Sequence, residues 1–265
     1  GEIALVALKG DIDNLGALFQ QGLEKPTFAK TASLSRQVNA FFALWLPWFC
    51  EHGKDAHGIA RYRNTYTVFA GGDDFLLIGP WESTLALAGA LRQHFSAYVA
   101  NPGITFSAGM VMNHPQTPVR QLAEAAETAL EQAKAQAGKN AASLWQQSVA
   151  WGDWHSLMDE RRAALEALMI RAGQHGAEFS TGLTYSLLQL SDRAASRRPE
   201  DAIWRSQLHY RLTRFFRDRV KGDAGARGRR EQLLADAIAE IGGALARHKG
   251  AYRLPLSILL YRQRE

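Results

Sequence analysis

The chain has 265 residues, 46 % of them apolar and 22 % charged, enough for one large or two ordinary domains and too apolar for a disordered segment. Its single cysteine, Cys50, excludes a disulfide framework and a cysteine-based zinc cluster and fits a reducing, cytoplasmic setting; no apolar run approaches the ~20 residues of a membrane span. The net charge of +5 is uneven: residues 1–151 hold 11 Lys and Arg against 12 Asp and Glu, residues 152–265 hold 20 against 14, so a polyanion or acidic partner would be met by the second part.

The opening GEIALVALKG has a glutamate where a signal peptide carries basic residues, and residues 3–8 read as a buried strand. The chain is expected to begin abruptly, as a fragment of a longer protein would. Residues 15–22 read as helical, KPTFAKTAS as a polar break, and residues 33–51 as a helix with Ser33 or Ser35 as N-cap and Pro47 as a kink or end. HGKDAHG is a loop. RYRNTYTVFA and FLLIGPW read as two strands joined by Gly71-Gly72-Asp73-Asp74, with glycine supplying the positive φ of a short hairpin. Ser83 opens a helix to about Ala100, ITFSAGMVM (104–112) is a strand, a helix runs from Pro118 to a stop at Gly138, and ASLW (142–145) is a last short strand. The order β-α-β-β-α-β, with a further helix and strand appended, predicts an α+β, ferredoxin-like sheet with its helices on one face, the plan of polymerase palms and nucleotide cyclases. After about residue 150 the pattern turns to helical periods at about 154–172, 182–196, 200–220 and 229–248, broken at SDRAASRRPED and VKGDAGARGRR and closed by LPLSILLY. This predicts a palm-like domain over 1–150 and a basic, all-α domain of four or five helices over 151–265.

Adjacent carboxylates at a strand tip repel each other unless a cation joins them, and then they become a site. Asp11, at the end of the first strand, is expected to lie beside Asp73 and Asp74 if that strand pairs with the strand entering the hairpin. The three acids would then converge on one or two divalent ions, Mg²⁺ or Mn²⁺, of the kind that activate a hydroxyl and steady a triphosphate. The amides of Asn14, Leu15 and Gly16 would open a helix toward phosphates, and Lys134 and Lys139 could neutralise the outer phosphates. Asp13 reads as a cap for the same helix, and Ser107 as a residue of an apolar strand. The eight histidines show no metal-ligand spacing, there is no His-Asp dipeptide, and there is no Walker-type glycine loop.

The ordered set GDIDNLG, VFAGGDDFLLIGPW, FSAGM and A-x-x-A-L-x-x-A-K-x-x-x-x-K-N resembles the second palm domain of the large subunit of type III CRISPR effector complexes, CRISPR-associated protein 10, of the Csm type. The likeness covers about residues 1–148. The basic helical part resembles, more loosely, that family's fourth domain, which packs against the small subunits. The resemblance implies an antiviral nucleotidyltransferase that makes cyclic oligoadenylates from ATP when target RNA is bound. It places metal on Asp11, Asp73 and Asp74 with the Ile12 carbonyl as an extra ligand. It places nucleotide beside Asn14, Leu15, Gly16, Gly71, Gly72, Lys134 and Lys139, and adenine near Ser107. It implies as partners the small subunit, the subunit at the guide-RNA end, guide and target RNA, and the first palm of the same subunit, with no membrane. The family's HD nuclease domain, first palm and zinc-binding insertion have no counterpart in this sequence, so one half-site is expected, completed by another palm or by a homodimer. Diguanylate cyclases share the plan in diverged form. A GTP-using homodimer of that kind, and a non-catalytic assembly module docking on small subunits and RNA, are the alternatives. A template-dependent polymerase is disfavoured because a palm alone has no fingers or thumb. The Arg-rich helix at 205–219 suits RNA phosphates or an acidic protein face, unless Phe215 and Phe216 are core and the arginines solvated.

Overall fold

A computed structural model describes residues 4–17, 27–55, 58–222 and 224–263 and divides the chain after Trp154 into two compact units. The first holds a sheet of β1 (Leu5–Ile12), β2 (Tyr66–Gly71), β3 (Asp74–Pro80), β4 (Phe106–Asn113), β5 (Ala141–Leu144) and β6 (Gln147–Ala150). Their spatial order is β2-β3-β1-β4-β5-β6. β1 is antiparallel to both β3 and β4. The expected pairing of β1 with the strand entering the hairpin is therefore wrong: the crossover from β1 skips one position, β2 takes the edge, and the returning strand β3 fills the gap. β5 adds parallel to β4, and β6 folds back on β5.

Strand alternation divides the core between two faces. On one face Val6, Leu8, Phe75, Leu77 and Phe106 are fully buried. They lie under α1 (Phe28–Ala40), the π-helical turn Phe41–Trp45 that continues it, α2 (Leu46–His52) and α3 (Trp81–Val99). Phe42 stacks on Phe75 at 5.2 Å and on Phe95 at 5.6 Å and meets Phe106 edge-on at 6.4 Å, which ties helix to sheet. On the other face Ala7, Leu76 and Ile78 pack with Leu122 and Ala126 of α4 (Val119–Lys134). The helices thus cover both faces rather than one, because the appended crossover from β4 to the parallel β5 takes the opposite side.

Several boundaries differ from the sequence expectation. Residues 15–17 are helical and 18–22 lie outside the described residues. α1 starts at Phe28 with Thr27 as cap, its hydroxyl accepting from the Lys30 amide at 3.3 Å, so Ser33 and Ser35 lie inside the helix. Pro47 neither ends nor breaks the run: the π turn redirects the Leu46 amide to the Phe41 carbonyl just ahead of it. Residues 61–64 form turns before β2. α3 opens at Trp81 after Pro80, and the Ser83 hydroxyl turns back to the Pro80 carbonyl at 3.0 Å.

The second unit begins at His155, the last residue of α5 (Trp151–His155). It contains a π turn (Ser156–Arg161), α6 (Arg162–Gly173), α7 (Thr181–Ala195), a 3₁₀ turn (Pro199–Ile203), α8 (Trp204–Arg219) and α9 (Ala224–Ala237). A second π turn (Ile238–Gly242), α10 (Gly243–His248), a 3₁₀ turn (Lys249–Tyr252) and α11 (Arg253–Arg262) complete it. Leu165, Leu190, Leu212, Phe216, Leu245 and Tyr252 are buried to 1 % or less and form its interior. The expected break at VKGDAGARGRR is only partly a break, since α9 begins at Ala224 despite Gly225 and Gly228.

Candidate functional site

The acidic residues meet where β1 ends and the hairpin turns. Asp11 of β1 lies directly across from Asp74, the first residue of β3, and across from Ser107 of β4 on its other side. Gly71 and Asp74 close the ladder, leaving Gly72 and Asp73 as a two-residue turn. Only Gly72 of the pair has positive φ, 65°, the pattern of a II′ hairpin. Two bonds fix the tip: the Gly72 amide donates to Asn39 Oδ1 at 2.7 Å and the Ile12 amide donates to the Asp73 carbonyl at 3.1 Å. The hairpin is thus anchored to both α1 and the end of β1. Ile12 enters through its amide.

Charges are arranged around this corner. Lys134, at the end of α4, forms an ion pair with Asp11, and Lys9, two residues earlier on the same face of β1, pairs with Glu127. Lys9 also lies 5.7 Å over the Phe69 ring. Burial pushes the Asp74 carboxyl above its ordinary value; Lys9 opposes this, and Asp73 and Glu127 add to it. Burial, then Lys139 and Lys9, push the Lys134 ammonium below its ordinary value. Among the described residues no three His, Cys, Asp or Glu side chains are gathered into a metal cage. The register brings Asp11 opposite Asp74, the turn sets Asp73 beside them, and a lysine ammonium is paired to Asp11.

Lys139 reaches the corner from the turn before β5, donating to Asn14 Oδ1 at 2.7 Å. Asn14 has φ 55°, and Leu15 and Gly16 open the helical turn that follows. Asp13, expected as a helix cap, is instead 5 % exposed and accepts from Thr105 Oγ1 at 2.7 Å, Ser107 Oγ at 2.8 Å and the Asn140 amide at 3.0 Å. Ser107 is fully buried, so its hydroxyl serves Asp13 in this arrangement rather than a base. The sequence reading missed Lys9, Arg92, Thr105, Glu127 and Asn140. Lys9 was legible in principle, since it shares a strand face with Asp11; Arg92 carries no local signal.

In the second unit, α8 lines two clefts of about 600 and 330 Å³. Its arginines have partners within the unit. Arg205 lies 4.8 Å over the Trp204 ring and Arg211 donates to the Ser186 carbonyl at 3.0 Å. Arg214 and Arg217 pair with Asp218, and Arg219 lies 6.0 Å over Phe215. Phe216 is core, and Phe215 packs on Phe179 and Phe216.

This sheet order, with an acid-bearing hairpin returning beside an aspartate of the central strand, defines a palm domain, here followed by a helical one. The family model for Cas10/Cmr2, second palm domain, matches residues 4–143, and the chain belongs to that family. The CRISPR system single-strand-specific deoxyribonuclease Cas10/Csm1 (subtype III-A) of Enterococcus italicus is 32 % identical over 217 residues, 79 % of this chain and 26 % of its own length. The protein of the same description from Mycobacterium tuberculosis is 26 % identical over 231 residues, 81 % of this chain and 27 % of its own. The chain thus spans about a quarter of the length of these curated relatives. Among solved structures, the Csm1-Csm4 cassette in complex with cA4 superposes with a TM-score of 0.61 at 24 % identity, covering 94 % of this chain and 37 % of that one. The cassette in complex with one ATP gives 0.62 at 22 % identity over 95 % and 35 %. These neighbours share the fold across both units. No helix among the described residues is long and apolar enough to cross a membrane.

Proposed function

We propose that the Asp11, Asp73 and Asp74 corner binds ATP with Mg²⁺ or Mn²⁺ and forms one half of a site that joins ATP into cyclic oligoadenylates. The observation that carries the reading is the cross-strand register of Asp11 with Asp74, with Asp73 at the adjoining turn and Lys134 and Lys139 at the rim. The residues fit a hard cation: the donors are carboxylate oxygens, Asp11 already holds an ammonium, and Asp74 is a partly buried carboxyl that burial pushes above its ordinary value. A divalent ion held by these three residues, with the Ile12 carbonyl as a further ligand, would supply charge to the triphosphate and to the attacking hydroxyl. In this reading the amides of Asn14 to Gly16 and the turn glycines Gly71 and Gly72 line the phosphates. Lys139 holds their outer end, and Lys134 moves from Asp11 to a phosphate oxygen. The 3′-hydroxyl of one ATP attacks the α-phosphate of the next, pyrophosphate leaves, and the hydroxyl proton passes to solvent. The chain's own contribution is orientation and fixed charge.

The reading is supported by family membership and by the solved Csm1-Csm4 cassettes, whose described ligands include cA4 and ATP. The other half-site is the first palm of the large subunit. Other type III subunits and guide and target RNA are the partners that trigger the reaction, in the cytoplasm. The proposal concerns the acid corner alone, separate from the deoxyribonuclease activity in the relatives' names. The test is equilibrium binding of ATP with Mg²⁺ and with chelator. Binding should need the metal, and Asp73→Ala with Asp74→Ala should weaken it at least about 10-fold at unchanged folding. Equal binding by the double variant, or by wild type in chelator, contradicts the reading.

A further inference from the structure

The loop before β5 carries two consecutive non-glycine residues in the left-handed region, Lys139 at φ 52° and Asn140 at φ 50°. Such a turn persists only where its surroundings hold it. Here the hold comes from one buried carboxylate. Asp13 accepts the Asn140 amide at 3.0 Å, and Thr105 and Ser107 fix the carboxylate itself at 2.7 and 2.8 Å. From the other side Arg92 gives Asn140 Oδ1 two bonds, at 3.2 and 3.0 Å. Burial lowers the Arg92 guanidinium from its ordinary value and the Asp13 charge opposes that, so anion, amide and cation form one electrostatic chain. The neighbouring residues make a second rung: Lys139 Nζ donates to Asn14 Oδ1 at 2.7 Å. Residues 13–14 and 139–140 are thereby clipped together across 125 positions of sequence.

We propose that Asp13 is a positioning residue that, through Asn140 and with Arg92 as its counter-cation, sets the left-handed turn that holds the Lys139 ammonium over the Asn14–Gly16 loop, where it meets the outer phosphates of the nucleotide. The substrate side of this rests on the function proposed above; the clip is a property of the fold. Asp13 itself touches no ligand, and removing its charge leaves Lys139 present but unaimed.

The test compares wild type with Asp13→Asn, Lys139→Met and the double variant. Hydrogen exchange is read at the amides of residues 139–141, and binding of Mg²⁺-ATP is read against AMP. Asp13→Asn should speed exchange at Asn140 about 10-fold and weaken ATP about 10-fold while leaving AMP unchanged. The double variant should bind ATP no more weakly than Lys139→Met alone, because the two substitutions remove one interaction. Additive losses, equal loss of ATP and AMP, or unchanged exchange at Asn140 would overturn the proposal. If Asp13→Asn does not fold, Thr105→Val, which removes one donor to Asp13, carries the same comparison with an expected effect of about threefold. Wild-type protein that binds no ATP refutes the proposed function; wild-type protein that binds ATP as tightly as Asp13→Asn refutes this inference alone.

Discussion

Asp11, Asp73 and Asp74 were legible as a set because two acids at a hairpin tip make no sense without a cation or a cationic partner. The structure sets cations beside them, Lys134 paired with Asp11, across the ladder from Asp74, and Lys9 acting on Asp74, and shows what the pattern leaves out. Asp13 sits two positions from Asp11 and reads as a helix cap. Its role depends on Thr105, Ser107 and Asn140, which come from distant parts of the chain. No local signal foretells that. A second residue-scale consequence concerns Cys50. It is 4 % exposed, and burial pushes its thiol up from its ordinary 9.0 to about 11. The thiolate is the nucleophile, so the native protein should resist iodoacetamide at pH 8 and be labelled at the free-thiol rate in urea. The sign of the linked stability follows: the folded state keeps its proton where the unfolded thiol loses it, so this group's contribution falls as pH rises from 9.0 to about 11. Labelling of native protein as fast as in urea would show that Cys50 is accessible.

Element by element, long periodic segments read correctly and junctions did not. α1 starts five residues before Ser33 because Thr27 supplies the cap, and the serines' hydroxyls gave a false start signal. β6 was missed because its turn is made by Trp145 and Gln146, both at positive φ, 49° and 62°, a pair that carries no turn signal. The packing of α4 on the sheet depends on a residue that pattern reading passes over. A methyl group on Gly109 of β4 would stand 2.1 Å from the Leu130 amide nitrogen and 2.5 Å from the Ala126 carbonyl oxygen. These are backbone atoms, so the helix would have to lift from the strand. Gly109→Ala is expected to cost about 3 kcal/mol of unfolding free energy, read by urea titration. A change under about 0.5 kcal/mol would mean that α4 does not lie this close. Since α4 carries Lys134 to Asp11, the same variant should also weaken ATP binding.

At the scale of the whole molecule, the acid corner and the basic excess belong to different units. The sequence showed the change of texture near residue 150, and the structure divides after Trp154. The helical unit was legible as a class because its helices are long and its breaks polar. The start of α9 was not, because buried Ala226 holds a segment that Gly225 and Gly228 would otherwise loosen. The sequence left the arginines of α8 open between RNA phosphates, an acidic protein face and solvent; in the structure many of them stack or pair within the unit, which a single sequence does not reveal. In the proposed function the acid corner turns over ATP once its other half is present. The direct measurement is chromatography with mass detection of the products formed from ATP and Mg²⁺ or Mn²⁺ by the assembled effector complex carrying this chain, with guide and target RNA, beside Asp73→Ala/Asp74→Ala. Cyclic oligoadenylates are expected from the wild-type complex, with a loss of at least about 100-fold in the variant. Product made equally by both, or by neither, would rule out this role for the acid corner.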